Sequence, residues 1–219
     1  MIKAVFFDLD GTLVDTLPDL AAAMNEMLAK FGYKERTTSE ILSAICYGQR
    51  EFVRRSMPDE LSDDDQKIEE CQKCYADCYA ARIVVDTTVY EGIRETVRSL
   101  NSHGIKCAVI TNKAGRNALA VIGRLFDEDD FVCVKGHDGS MPTKPDPALT
   151  LKTAGDLGLS PSECVFVGDS DVDIATGKNA GMRTAGVTWG YRDEDLLVSS
   201  GADFIAHTPA QLLEYLLSL

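Results

Sequence analysis

A chain of 219 residues, 45% of them hydrophobic, can bury a full core as one large domain or two small ones. Its formal net charge of -13 argues against a nucleic-acid surface, which needs Lys and Arg; a small anionic ligand stays compatible if a metal or a few cations reverse the field locally. The first apolar run breaks at Asp8, too early for a signal peptide, nothing approaches a membrane span, and an odd count of seven cysteines suits reduced thiols, so a cytoplasmic protein is expected, monomeric or weakly dimeric.

The chain opens on Ala4–Phe7, a short unbroken apolar run of the kind that makes a buried central strand. It runs straight into Asp8, Asp10 and Gly11. Two acids at the end of a buried strand destabilise the fold unless a partner or a metal compensates. From Thr16 to about Arg82 the pattern is helical only. Leu17, Ala21, Met24, Leu28 and Phe31 share one face, and Gly32 is a natural stop. Thr37 with Glu40 predicts a capping box for a short helix through Ile45. Tyr47-Gly48-Gln49-Arg50 interrupts, and Glu51 to Met57 resumes before Pro58. Ser62 with Asp65 predicts a second capping box, opening a long helix to about Ala81. Cys71 and Cys74 form a CxxC, but no second ligand pair has matching spacing. Ile68, Cys71, Tyr75, Cys78 and Tyr79 instead recur at helical intervals as an apolar stripe.

After Val85 helices and strands alternate. Helices are predicted at Glu91–His103, Gly115–Phe126, Pro147–Leu157, Asp171–Ala180 and Pro209–Leu217. Strands are predicted at Lys106–Thr111, Phe131–Val134, Cys164–Val167, Arg183–Val187 and Asp203–Ala206. Alternation of this kind means parallel βαβ units with right-handed crossovers. The expected fold class is therefore α/β, a doubly wound parallel sheet with a Rossmann-like core. Residues 1–15 and 87–219 form the core, and residues 16–86 form an all-helical cap inserted after the first strand.

Three more polar clusters follow strands or precede helices: Thr111-Asn112-Lys113, Lys144-Pro145-Asp146-Pro147 and Gly168-Asp169-Ser170-Asp171-Val172-Asp173. Parallel strands bring their carboxyl ends to one edge, so Asp8, Asp10, Thr111 and Asp169 should converge there. Two carboxylates and a backbone carbonyl make an oxygen-rich site suited to Mg²⁺. A carboxylate, a hard metal, a hydroxyl donor and a lysine are what phosphoryl transfer needs. Neither acidic loop fits a calcium-binding hand, because the required glycine is missing from its sixth position.

DLDGTLVDT at Asp8–Thr16, ITN at Ile110–Asn112, KPDP at Lys144–Pro147 and GDSDVD at Gly168–Asp173 resemble, in order and spacing, the four motifs of the haloacid dehalogenase-like hydrolases. The inserted helices resemble the cap of the subgroup containing phosphoglycolate phosphatases, pyrophosphatases and β-phosphoglucomutases. The resemblance implies that Asp8 is a nucleophile phosphorylated in turnover, and that Asp10 is the general acid and base. It implies Thr111, Asn112 and Lys144 as phosphate-binding residues, and Asp8, the Asp10 carbonyl and Asp169 as Mg²⁺ ligands, with Asp173 supporting the metal or Lys144 from behind.

An acid at Asp10 argues for phosphate chemistry over dehalogenation, which has no alkoxide to protonate. A β-phosphoglucomutase-like phosphotransferase or a pyrophosphatase remains a rival, as does a non-enzymatic phospho-acceptor switch, although Thr12 leans towards a phosphatase. The expected partner is a small phosphorylated metabolite, phosphoglycolate first. Arg50, in the break between cap helices, is the candidate reader of its anionic end, with Lys113 a second candidate cation.

Overall fold

The computed structural model describes residues 1–219. It begins with β1 (Ala4–Phe7), then β2 (Val14–Asp15) and four helices: α1 (Leu17–Lys30), α2 (Thr38–Ala44), α3 (Gln49–Ser56) and α4 (Asp65–Arg82). The chain returns through β3 (Thr88–Val89), α5 (Ile93–Ser102), β4 (Lys106–Ala114), α6 (Gly115–Leu125) and β5 (Cys133–His137). It closes with α7 (Ala148–Asp156), β6 (Cys164–Gly168), α8 (Asp171–Asn179), β7 (Arg183–Val187), α9 (Glu194–Ser199), β8 (Phe204–Ala206) and α10 (Pro209–Ser218).

The sheet has the order β5-β4-β1-β6-β7-β8, with every neighbouring pair parallel. β1 lies in the middle, so its side chains must be apolar on both faces, and all four residues are fully buried. Val5 and Phe7 point into the larger core with α5 and α10. Ala4 and Phe6 point into a second core with Ala154, Ala180 and Met182. Cores on both faces are what makes the sheet doubly wound. β1 is flanked by β4 and β6, each reached by a long connection, which makes its carboxyl end the topological switch point where such sheets hold ligands.

The helices α1 to α4 form the inserted cap, entered and left through the antiparallel pair β2–β3. The CxxC segment lies on α4 as the buried stripe its spacing predicts. All seven cysteines are free thiols, and no helix is long and apolar enough to cross a membrane.

Three local expectations are corrected. α4 is capped by Asp64, whose side chain accepts from the Lys67 N–H, while Ser62 donates to the Asp59 carbonyl in the preceding turn. α3 starts at Gln49, because Gly48 takes the positive φ of 87° that the entry requires. β5 lies at Cys133–His137, displaced from Phe131, which instead packs edge-on against Phe126. The β2–β3 pair and α9 had no signal, being too short to show periodicity.

Candidate active site

Phe7 pairs with Val109 on one side and Val167 on the other, so Asp8, Thr111 and Asp169 leave the sheet at one edge. Asp8 and Thr111 meet the Lys144 loop and the cap in a cleft partly open to solvent, with Asp169 just behind it.

Lys144 ties the acids together. Its ammonium donates to Asp173 Oδ1 at 2.6 Å and lies 2.8 Å from Asp8 Oδ1. The second contact is an ion pair without hydrogen-bond alignment, which leaves Asp8 Oδ1 buried and unsatisfied. Burial alone would pull the Lys144 ammonium down, but Asp173 and Asp8 outweigh it and hold it above its ordinary value. Burial pushes the Asp8 carboxyl up to about 6, against the pull of Lys144 and with the repulsion of Asp173 added.

The three carboxylates of Asp8, Asp169 and Asp173 approach one another within 4.8 Å and all are buried. Asp173 is already committed: Oδ1 takes Lys144, and Oδ2 accepts from the Ser170 N–H and hydroxyl. Asp169 is oriented by Thr12, which donates to Oδ1 at 3.0 Å, and by the Tyr191 N–H, which donates to Oδ2 at 2.8 Å. Its carboxyl is held well above the ordinary range by burial, then by Asp173 and Asp8. One lysine does not balance three buried acids. The unsatisfied oxygen of Asp8 and the free lone pairs of Asp169 therefore fit a hard cation with oxygen ligands.

Asp10 turns away from this cluster. Its Oδ1 accepts from the Thr16 hydroxyl at 2.7 Å and from Lys113 Nζ at 2.9 Å. Thr111 lines the cleft, its hydroxyl oxygen accepting from the Lys113 N–H. Asn112, expected on the phosphate, also lines the cleft, but its side-chain amide is engaged elsewhere. Its amide donates to the Cys46 and Lys144 carbonyls and its oxygen accepts from the Lys144 N–H, so it brackets the lysine loop against the cap. Arg50 is placed otherwise. It occupies the second position of α3, half-exposed and paired with Asp65 of α4, and it does not line the cleft; Gly48 and Gln49 do.

Sequence reasoning missed the segment after β7. Trp189 donates from its indole N–H to the Thr12 carbonyl. The Tyr191 hydroxyl accepts from the Thr16 and Leu17 N–H groups and donates to Asp15. Arg192 donates to the Leu42 and Ile45 carbonyls of the cap. Its one signal was position: like the motif clusters, it follows a parallel strand. Tyr75 and Tyr79 also line the cleft, although their spacing marks them only as core.

Comparisons with known proteins give the family and the fold. Residues 5–187 match the family model of the haloacid dehalogenase-like hydrolases. The chain is 33% identical to a phosphoglycolate phosphatase of Pseudomonas putida, over 99% of this chain and 78% of that protein. It is 33% identical to an N-acetylmuramic acid 6-phosphate phosphatase of Pseudomonas aeruginosa, over 98% of this chain and 95% of that protein. A crystal structure of a predicted phosphoglycolate phosphatase from Haemophilus somnus superposes with a TM-score of 0.91 at 26% identity, covering 98% of each chain.

Proposed function

The chain belongs to the haloacid dehalogenase-like hydrolases and is a phosphatase, and from that premise we propose that it hydrolyses a small phosphate monoester bearing a carboxylate, phosphoglycolate first, through an aspartyl-phosphate on Asp8. The observation that carries the mechanism is the buried Asp8 carboxylate at the strand end, paired with Lys144 at 2.8 Å and lining the cleft. The substrate class rests on the relatives. Phosphoglycolate and N-acetylmuramic acid 6-phosphate are both phosphate esters of a carboxylic acid.

Asp8 attacks phosphorus in line with the ester oxygen, and the bond from phosphorus to that oxygen breaks. Thr111 donates to one phosphoryl oxygen and Lys144 supplies positive charge to another, where negative charge must be held in place. Asp10, swung from Thr16 towards the leaving oxygen, gives up its proton to the departing alkoxide. In the second half Asp10 takes a proton from water, whose oxygen attacks the phosphoryl group. The bond between the Asp8 oxygen and phosphorus breaks, releasing inorganic phosphate and restoring the Asp8 carboxylate and the protonated Asp10. Asp173 keeps Lys144 aimed at the site throughout.

Asp8, Asp169 and the Asp10 carbonyl would hold Mg²⁺, which when bound offsets the negative charge of the phosphoryl group and keeps Asp8 anionic. The helical insertion over residues 16–86 acts as the lid that excludes water and supplies selectivity.

A phosphate-release screen tests the reading, with phosphoglycolate, sugar phosphates, pyrophosphate and p-nitrophenyl phosphate as substrates. We expect turnover of phosphoglycolate that disappears in Asp8→Asn. Absence of phosphate release from every ester by the folded, metal-supplemented protein sinks it. Conversion of a sugar 1-phosphate to its 6-phosphate would favour the mutase instead.

A further inference from the structure

Only two cations line the cleft, Lys144 and Lys113. Lys144 is bound up with Asp8 and Asp173 at the phosphoryl end. Lys113 lies two residues beyond Thr111 on β4, where the strand's register shifts and the Lys113 N–H donates back to the Thr111 hydroxyl. That offset suits an anionic group a few bonds from the phosphoryl group.

Lys113 is nearly as buried as Lys144, and its positive charge has one carboxylate partner, Asp10, at 2.9 and 3.1 Å. Its ammonium also lies 4.6 Å from the centre of the Tyr79 ring, on α4 of the cap. Asp10 and Tyr79 outweigh the effect of burial and keep the lysine charged. The Tyr79 hydroxyl is near this ammonium, yet it is buried with no hydrogen bond aligned on it. A buried hydroxyl left unpaired is costly, on the order of 1–3 kcal/mol. One that lines a ligand cleft is explained if a ligand pairs with it.

We propose that Lys113 and Tyr79 are the specificity pair of this phosphatase, binding the carboxylate of its substrate. One carboxylate oxygen takes the Lys113 ammonium and the other accepts from the Tyr79 hydroxyl. The incoming carboxylate competes with Asp10 for Lys113, so occupancy of this corner loosens Asp10 from its resting contacts and frees it to turn to the leaving oxygen. A substrate with a neutral tail leaves the Asp10–Lys113 pair intact and is turned over slowly. Tyr79 comes from the cap and Lys113 from the core, so the same carboxylate ties the two together.

The inference rests on the phosphatase reading, and the test separates the two. kcat/KM is measured on phosphoglycolate and on 2-hydroxyethyl phosphate, a two-carbon ester with a neutral tail. Wild type should prefer the carboxylate by roughly 10²-fold or more, as expected of a site with buried polar groups built for that group. Tyr79→Phe should lower this ratio about tenfold with little loss of thermal stability, because the hydroxyl lies beside Lys113 but has no aligned hydrogen bond in the empty protein. Lys113→Met should nearly abolish the preference, and Lys113→Arg should restore part of it. Calorimetric binding of phosphoglycolate to Asp8→Asn, with and without Tyr79→Phe, gives a readout free of turnover; weaker binding by the double variant is expected. A wild type that hydrolyses both esters equally, variants that lose both equally, or unchanged binding by the double variant would each overturn the specificity pair while leaving the phosphatase standing. Failure to release phosphate from any ester would overturn the phosphatase reading itself.

Discussion

Replacing Gly190 with alanine tests the packing beneath Asp169. A Cβ at this position would lie 2.3 Å from Asp169 Cβ and 2.3 Å from the Gly11 carbonyl oxygen. Ordinary carbon contacts are about 3.5–4.0 Å, so the segment must withdraw by about 1 Å or more. Neither neighbour can yield easily: one is backbone, the other the root of a fully buried carboxylate. Withdrawal strains the two hydrogen bonds that flank Gly190, from Trp189 to the Thr12 carbonyl and from the Tyr191 N–H to Asp169. The neutral bond contributes about 1 kcal/mol and the charged one about 1.5–3, so a destabilisation of about 2.5–4 kcal/mol is expected. Asp169 also loses the donor that orients it, which should weaken metal binding about 10- to 100-fold. Urea denaturation gives the first quantity and metal titration of the folded variant the second. Gly123→Ala is the control. Its site on α6 has open space around the new methyl, so the change should stabilise by about 0.5–1 kcal/mol. A Gly190→Ala protein with the wild-type urea midpoint and metal affinity would refute the packing described.

Asp8→Asn should abolish turnover and stabilise the metal-free protein. The rise of the Asp8 carboxyl from 3.8 to about 6 means the native state binds its proton more tightly than the unfolded chain, a difference of about 3 kcal/mol. That stability is present below pH 4 and lost as pH rises through 6, so the variant's advantage should be largest near pH 7 and vanish in acid; an advantage independent of pH would contradict the assignment. Asp10→Asn should lower kcat roughly 10²- to 10⁴-fold while staying folded, and a near wild-type rate would remove it as the proton donor. Mg²⁺ should raise the melting temperature of wild type but much less that of Asp169→Asn, and full activity in chelator would refute the metal requirement. Arg50→Ala should leave kcat/KM on phosphoglycolate within about twofold, because Arg50 pairs with Asp65 outside the cleft and its surface ion pair contributes little. Arg192→Ala should shift the cap towards an open form, seen as a larger radius of gyration in solution scattering and a raised KM; one identical scattering profile for variant and wild type, with and without vanadate and metal, would count against a moving cap.

The sheet was legible because its strands are short apolar runs punctuated by the groups that do chemistry. Val5-Phe6-Phe7 into Asp8 and Val165-Phe166-Val167 into Gly168-Asp169 carry both the burial and the site in one stretch, so the same residues located strand, edge and ligand. What lay beyond reading were contacts fixed only by chain reversal. An Asn after Thr111 looks free to bind an anion; the fold spends its amide on the Cys46 and Lys144 backbone. An Arg after a cap glycine looks free to reach the site; the helix starts one residue earlier and turns it to Asp65. Tyr79 shows the opposite failure. Helical spacing marked it as core, and it is buried, yet the wall it helps to form is the wall of the cleft.

How the cap is attached follows from contacts at its two ends. At the hinge, Asp19 of α1 is fully buried and accepts from the Val85, Asp86 and Thr87 N–H groups and from the Thr87 hydroxyl. This locks the returning linker to the first cap helix, and β2–β3 pairs the two linkers just outside it. The two linkers cannot separate without breaking several charged hydrogen bonds. At the far end the cap is held by fewer and more exposed bonds. Arg192 donates to the Leu42 and Ile45 carbonyls and Asn112 to the Cys46 carbonyl. If the cap acts as a lid, breaking three bonds of about 0.5–1.5 kcal/mol each would cost a few kcal/mol, a difference that a bound substrate can bias. Both latch residues also touch the chemistry at one remove: Asn112 brackets Lys144, and Arg192 follows the Tyr191 that orients Asp169. The carbonyls of Leu42 and Ile45, at the end of α2, and of Cys46 therefore bind the same two residues that lie one step from the phosphoryl site.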